Sequence, residues 1–420
     1  MKKYILFFFI LFFSIHLQSC ASGTESLRLG VIGDPHYLSE QLMDDGKAVK
    51  DYVNMSGKDI RDVPLVLQQV LDDYLKSDID ILLIPGDITK DGEKQSHIDF
   101  RKKLQPLIDK GVRIYVIPGN HDINIPHPVK YEGDKTLPTE NISPQEFAEI
   151  YADCGYTEQI SRDTASLSYV AELDKKTWLL AIDACKYQDY KGNSISSGRI
   201  LPETEKWITE VLAEARKQNI RVLGMMHHGL IEHIMMQSYF FKDYLVDDWS
   251  RLADLLADQG MKAIFTGHFH ANDITEYKSP AGNKIYDIET GSLAAFAYPY
   301  RFVELTENGM SVSTKNVTAI EGKPDLAEDN KKVMQSRARA LALEVIRAKG
   351  MSFPPQTLDL LADLASQIFV QHLQGDEKVD DAMKEAIAHL IKDMGMPVPL
   401  SPENIELDFY PADNNVEITF

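Results

Sequence analysis

The chain has 420 residues, enough for a large core and two domains, or for one large domain with an appendage. Its 44% hydrophobic and 26% charged content is that of a globular protein, and its formal net charge is -20 at pH 7. That balance excludes a broad nucleic-acid surface, which needs clustered Lys and Arg, and means that a phosphate substrate would need a local cation to invert the field.

In chain order, Lys2 and Lys3 precede an apolar stretch over 4–13, too short to span a bilayer comfortably. It closes on Leu17-Gln18-Ser19-Cys20, which resembles the lipobox of bacterial lipoproteins. The resemblance implies cleavage before Cys20, lipidation of that residue, and export to the bacterial cell envelope on a lipid anchor. An ordinary cleaved signal peptide or an uncleaved anchor is the alternative, and in every case 1–20 adds nothing to the fold. Cys154 and Cys185 then remain, and they read as two buried free thiols. A disulfide is permitted in an oxidising compartment, whereas neither cysteine has zinc spacing.

Strands are predicted over 27–33, 80–85, 112–118, 178–183, 221–226, 263–267 and 284–288. Helices fall between them, over 63–76, 93–110, 144–151, 202–218 and 247–259. Ser143-Pro144-Gln145-Glu146 reads as a capping box, and Pro202 suits a first helical position. The alternation argues for an α/β fold built of βαβ units around a largely parallel sheet. Beyond Glu321, helices are predicted over 326–349, 357–373 and 379–394, followed by a β-hairpin from 405–409 and 416–420.

The ends of the predicted strands carry the chemistry. Gly33-Asp34-Pro35-His36 follows the first, Gly86-Asp87 the second, and Gly119-Asn120-His121-Asp122 the third. His227-His228 and Gly267-His268-Phe269-His270 follow two later ones. Gly119 is read as the residue that lets the backbone turn where the strand stops. Ligands in open α/β sheets gather outside the carboxyl ends of strands, so these five tips should converge on one metal centre.

In this order, Asp-x-His, Gly-Asp, Gly-Asn-His-Asp, His and Gly-His-x-His resemble the signature of the calcineurin-like metallophosphoesterases, over residues 27–305. The resemblance implies a sandwich of two β-sheets flanked by helices, with a dinuclear metal centre at one edge. Carried across by motif, Asp34, His36 and His270 would hold the first metal; Asn120, His227 and His268 the second; and Asp87 would bridge both. His227 is preferred to its neighbour His228 by motif alignment alone. Mixed imidazole and carboxylate donors suit Mn, Fe, Zn or Co better than Ca or Mg. The domains implied are a signal peptide (1–20), a catalytic domain (26–320) and a C-terminal helical subdomain (321–420), packed on the catalytic domain or serving as its lid.

The reaction expected is in-line hydrolysis by a water that the two cations make acidic. His121, not needed as a ligand, is free to protonate the leaving alkoxide, with Asp122 either orienting it or capping the following turn. After Asp87 the chain reads Ile88-Thr89-Lys90-Asp91-Gly92. It lacks the Tyr ligand of purple acid phosphatases and the Asp-Arg-Gly of protein Ser/Thr phosphatases. Gly198-Arg199-Ile200 leading to Trp207 resembles a segment of the phosphodiesterase branch. A small phosphodiester of cyclic-nucleotide, nucleotide or glycerophosphodiester type is therefore the expected substrate. The alternatives are a phosphomonoesterase or pyrophosphatase of the same fold, and a catalytically silent surface-binding lipoprotein. His97, His372 and His389 are read as surface or boundary residues of helices, while His127 and His233 are candidates for the pocket wall. Arg301 is read as paired with surplus acid, with a phosphate contact as its other reading.

Overall fold

The computed structural model describes residues 26–378, 380–393 and 407–420. The lipobox, Cys20 and the start of the predicted hairpin lie outside them. Among the described residues no helix is long and apolar enough to cross a membrane.

The chain begins with β1 (Leu27–Val31), α1 (Lys47–Ser56), α2 (Val63–Lys76), β2 (Ile81–Ile84), α3 (Lys94–Lys103), α4 (Gln105–Asp109) and β3 (Arg113–Val116). The single helix expected over 93–110 is thus two. Pro106 has no N–H to offer the Lys102 carbonyl, and the helix breaks at Leu104. A hairpin follows, β4 (Val129–Glu132) with β5 (Lys135–Pro138), and then α5 (Pro144–Ile150) behind the predicted Ser143–Glu146 capping box. Next come β6 (Ser161–Arg162), β7 (Tyr169–Asp174), β8 (Thr177–Ile182), α6 (Pro202–Lys217) and β9 (Arg221–Met226). The chain continues through α7 (Gln237–Phe240), α8 (Trp249–Asp258), β10 (Ala263–Thr266), β11 (Asp273–Lys278), β12 (Lys284–Glu289), β13 (Pro299–Leu305) and β14 (Gly309–Asn316). It ends with α9 (Leu326–Ala348), α10 (Pro355–Gln374), α11 (Asp381–Asp393) and β15 (Asn415–Thr419).

Two mixed sheets result, ordered β15-β14-β13-β1-β2-β3 and β11-β12-β10-β9-β8-β7-β6. Each has a parallel part: β1, β2 and β3 at one side of the first sheet, and β8, β9, β10 and β12 in the middle of the second. All seven strands expected from the sequence are among them. The unexpected ones, such as β7, β11 and β14, are antiparallel and carry exposed or half-exposed positions. Polar outer faces dilute the apolar run by which a strand covered on both faces is recognised.

Period-two alternation decides which layer each side chain joins. On β9, Leu223 and Met225 face the core shared with β1 and β2 of the other sheet, while Val222 and Met226 pack with Ile208 and Leu212 of α6 and with Leu256 of α8. On the far side of the first sheet, α2 buries Val63, Val66, Leu67, Val70 and Tyr74. The outcome is an α/β sandwich of two sheets flanked by helices.

The C-terminal segment is tied in at several points. On α9, the Asn330 side chain accepts from Phe296 N at 2.7 Å and donates to the Gly57 carbonyl at 3.2 Å. Met334, Val370 and Leu373 pack on Ala295–Ala297. β15 pairs with β14, and the described residues 407–409 form no strand, so the final strand extends the first sheet instead of closing a hairpin with them. A division at 320 therefore cuts through a sheet.

Candidate metal centre

All five tips predicted from the sequence meet at one end of the sandwich. The donor atoms of Asp34, His36, Asp87 and His270 lie within 4.8 Å of one another, as do those of Asp87, His227 and His268. Asp87 belongs to both groups: Oδ2 is 3.5 Å from His36 Nε2, and Oδ1 is 3.4 Å from His227 Nε2. Asn120 joins the second through Oδ1, 3.0 Å from His227 Nε2. The seven side chains assigned by motif are thus gathered in two sets that share one carboxylate.

Hydrogen bonds outside the cluster aim the rings. His227 Nδ1 donates to the Pro85 carbonyl at 2.9 Å, which turns Nε2 toward Asn120 Oδ1 and Asp87 Oδ1. His268 Nε2 donates to the Asp243 carbonyl at 3.2 Å and so leaves Nδ1 toward the centre. His36 Nε2 and His270 Nε2 approach to 3.1 Å. Burial pushes the pKa of His36, His268 and His270 well down, so they present lone pairs and not protons. Burial also pushes the Asp34 carboxyl up to about 7, against the pull of His227. Asp87, despite its burial, is held well below the usual carboxylate range by His227, His121 and His36. Converging lone pairs and carboxylates of this kind suit divalent cations, and the donor set fits two of them.

The backbone is forced to serve this geometry. Five of the seven residues, Asp34, His36, Asp87, His268 and His270, have positive φ. Such conformations cost roughly 1–3 kcal/mol each and cluster at functional sites. Gly119 has a different role from the turn expected of it, because its φ is not positive. A Cβ there would meet Asp87 N at 2.1 Å and Asp87 Oδ1 at 2.2 Å, so glycine allows two strand tips to touch.

His121 stands beside the cluster with its side chain 23% exposed, so it alone of the motif histidines outside the ligand set can reach a bound substrate. Its Nδ1 is 2.8 Å from Asp91 Oδ1. Asp122 neither orients His121 nor caps the turn that follows it, because its carboxylate is taken up by groups before it and on the Asp87 tip. Its carboxylate accepts from Gly119 N, Ile88 N, Thr89 N and the Thr89 hydroxyl, and so clamps two tips together beneath the site. His228 is excluded from both donor groups and bonds the Ser196 carbonyl instead, at 2.9 Å.

A cavity of about 190 Å³ opens over the centre. Asp87, Asn120, His268 and His270 form its floor, with Lys58 and His121 in its wall. Met334, Arg337 and Leu341 of α9 and Phe369 of α10 form its roof. Asp91, Lys58 and Arg337 were not found from the sequence. Asp91 could have been, as an acid four residues beyond Asp87 on the same tip, but Lys58 and Arg337 belong to distant segments with no local signal. A larger basin of about 940 Å³, lined by Lys186, Arg199 and Arg251 among others, holds none of the seven residues. Those three cations are engaged with Asp247, Asp189 and Glu205, so chemistry and not volume locates the site.

Several residues stand elsewhere than expected. His97 and His372 are buried, not at a surface, because each bonds a buried polar partner. His233 is buried among acids away from the cavity, and His127 is exposed outside it. Arg301 is fully buried and donates to the Glu289 and Asp413 carbonyls, which rules out a phosphate contact. The His389 side chain lies outside the described set. Cys154 and Cys185 are free thiols.

The family model for calcineurin-like phosphoesterases matches residues 27–272, more than half of the chain. A dimetal phosphatase of Danio rerio is similar in structure, with a TM-score of 0.50 at 13% identity, covering 69% of this chain and 96% of that one. A purple acid phosphatase of yellow lupin (Lupinus luteus) matches at a TM-score of 0.42 and 14% identity, over 69% of this chain and 51% of that one. No curated protein matches in sequence. The chain belongs to the calcineurin-like phosphoesterase family.

Proposed function

We propose that this member of the family hydrolyses small phosphodiesters, with Asp34, His36, Asp87 and His270 holding one divalent cation and Asp87, Asn120, His227 and His268 a second. When bound, such a pair makes a water acidic enough to attack phosphorus near neutral pH and neutralises the phosphoryl oxygens. The residues do the rest. His121 gives a proton to the leaving alkoxide oxygen from Nε2, while Nδ1 stays bonded to Asp91, which fixes the orientation of the ring. Asp91 remains ionised: against its burial, the bond from His121 and the neighbouring Lys90 hold its carboxyl below the usual range. Lys58 and Arg337 offer positive charge to the substrate beyond the cluster, and Met334, Leu341 and Phe369 offer an apolar surface to a second ester substituent.

The observation that carries this reading is the His121–Asp91 pair beside the shared carboxylate. An alkoxide is a poor leaving group and needs such a donor. The lipobox supports export on a lipid anchor, which favours an envelope or scavenged diester over a cytoplasmic one. The test compares bis-p-nitrophenyl phosphate with p-nitrophenyl phosphate, with Mn²⁺ added and after chelation. Faster, chelator-sensitive hydrolysis of the diester is expected. Preference for the monoester would replace the diesterase reading with a monoesterase, and no metal-dependent turnover of either would leave a binding protein.

A further inference from the structure

Behind the loop that carries His268 and His270, four carboxylates and two imidazoles are buried together. Asp273 opens β11, Asp287 and Glu289 share one face of β12, and His233 comes from the loop after β9. His372 lies in the last turn of α10, and Glu377 just beyond it.

Their hydrogen bonds divide them sharply. Asp287 is satisfied: Oδ2 accepts from Leu230 N at 2.7 Å, and Oδ1 from the Thr266 hydroxyl at 2.5 Å. Asp273 Oδ1 accepts from His233 Nδ1 at 2.7 Å, and Glu289 Oε1 from Ala271 N at 3.1 Å. Among the described residues, three buried oxygens are left with no hydrogen bond: Asp273 Oδ2, Glu289 Oε2 and Glu377 Oε2. The buried Arg301 guanidinium nearby is directed at carbonyls and the Thr314 hydroxyl, not at these oxygens. Four carboxylates share two imidazoles, and the three oxygens have no hydrogen bond to offset the cost of their burial.

We propose that Asp273, His372 and Glu377 form a third cation site, taking a divalent transition metal. Their donor atoms lie within 4.8 Å of one another, with His372 Nδ1 at 3.4 Å from Asp273 Oδ2 and 2.6 Å from Glu377 Oε1. One imidazole with two carboxylates is a donor set that Zn, Mn, Fe or Co accepts. His233, bonded to the other oxygen of Asp273, orients that ligand from behind. The neighbouring acids Asp376, Asp408 and Asp413 make no comparable site, because the Asp413 carboxylate already accepts from Ile274 N and Asp376 N.

The site joins β11 of the second sheet to the end of α10. Phe369, in the cavity roof, lies one turn before His372, and Phe269, between two ligands of the first centre, packs on the His372 ring at 5.5 Å. The cation would therefore seat α10 over the substrate cavity. This role is structural and stands apart from the reading of the catalytic centre.

The test loads the full chain with Zn²⁺, dialyses it, and counts metal per chain by plasma mass spectrometry. It uses wild type, Asp87→Asn, Glu377→Gln and the double variant. Glu377→Gln is expected to lower the count by one in both backgrounds and to shrink the Zn²⁺-induced rise in melting temperature. His372→Gln serves as a second single variant should Glu377→Gln not fold. An unchanged count in a folded variant overturns the proposal and leaves an ion network of imidazolium and carboxylate. If neither variant folds, the wild-type count decides: three Zn²⁺ per chain support the site, and two or fewer overturn it. Failure of the phosphodiesterase reading alone would appear as absent turnover with the Glu377-dependent cation still present.

Discussion

His121 Nδ1 lies 2.8 Å from Asp91 Oδ1, a pairing made across two strand tips. It leaves Nε2 as the ring atom that can exchange a proton with substrate, and it places the orienting carboxylate on the Asp87 loop instead of next door at Asp122. His121→Ala should lower kcat by about 10²–10⁴-fold, the usual worth of a general acid, with cation content unchanged. Asp91→Asn should cost less, because an amide oxygen can still accept from His121 Nδ1. Pre-steady-state turnover with metal analysis checks both, and loss of cations from His121→Ala would make it a ligand.

Gly119→Ala tests the contact between tips. The new methyl group would overlap Asp87 N and Oδ1, so the shared carboxylate must move. Activity should fall by about 10–100-fold, as when supporting groups of a metal site are disturbed, with weaker cation retention. Far-ultraviolet circular dichroism should remain native. Full activity would mean that Asp87 does not bridge.

Arg337 is exposed on α9 at the cavity roof, so Arg337→Ala should change stability by no more than about 0.5 kcal/mol. If it meets an anionic group of the substrate, its loss should raise KM by roughly 10- to 100-fold, from about 1.5–3 kcal/mol of charged hydrogen bonding, with kcat little altered. Steady-state kinetics on a diester with a second anionic group is the measurement. An unchanged KM would place the substrate away from the roof.

His97 makes acid sensitivity predictable. Its Nε2 donates to the Asp122 carbonyl at 2.9 Å and its Nδ1 accepts from the Tyr151 hydroxyl at 3.1 Å, an arrangement for the neutral ring. Burial lowers its pKa from 6.5 to about 3. As pH falls, the unfolded chain takes up this proton first, so stability present above 6.5 is lost progressively toward 3. Between about pH 7 and 5 the loss should be about 2 kcal/mol more in wild type than in His97→Gln. Denaturant midpoints at the two pH values would show it, and parallel pH slopes would refute it.

Local sequence determined a good deal. Apolar runs ending in Asp, Asn and His marked the seven parallel-sheet strands and the ligand-bearing tips, because a strand covered on both faces must be apolar and its end must hold the chemistry. Helix starts at Pro144 and Pro202 were legible for equally local reasons, a capping hydroxyl and a proline where no N–H is needed. Only the tertiary structure decided which carboxylate holds His121, why Gly119 must be glycine, and that Lys58 and Arg337 share a cavity. It also showed that His372 and Asp273, 99 residues apart, are buried beside one another. These relations depend on distances between segments remote along the chain, and such distances are set by how sheets and helices pack, which no local pattern of residues encodes.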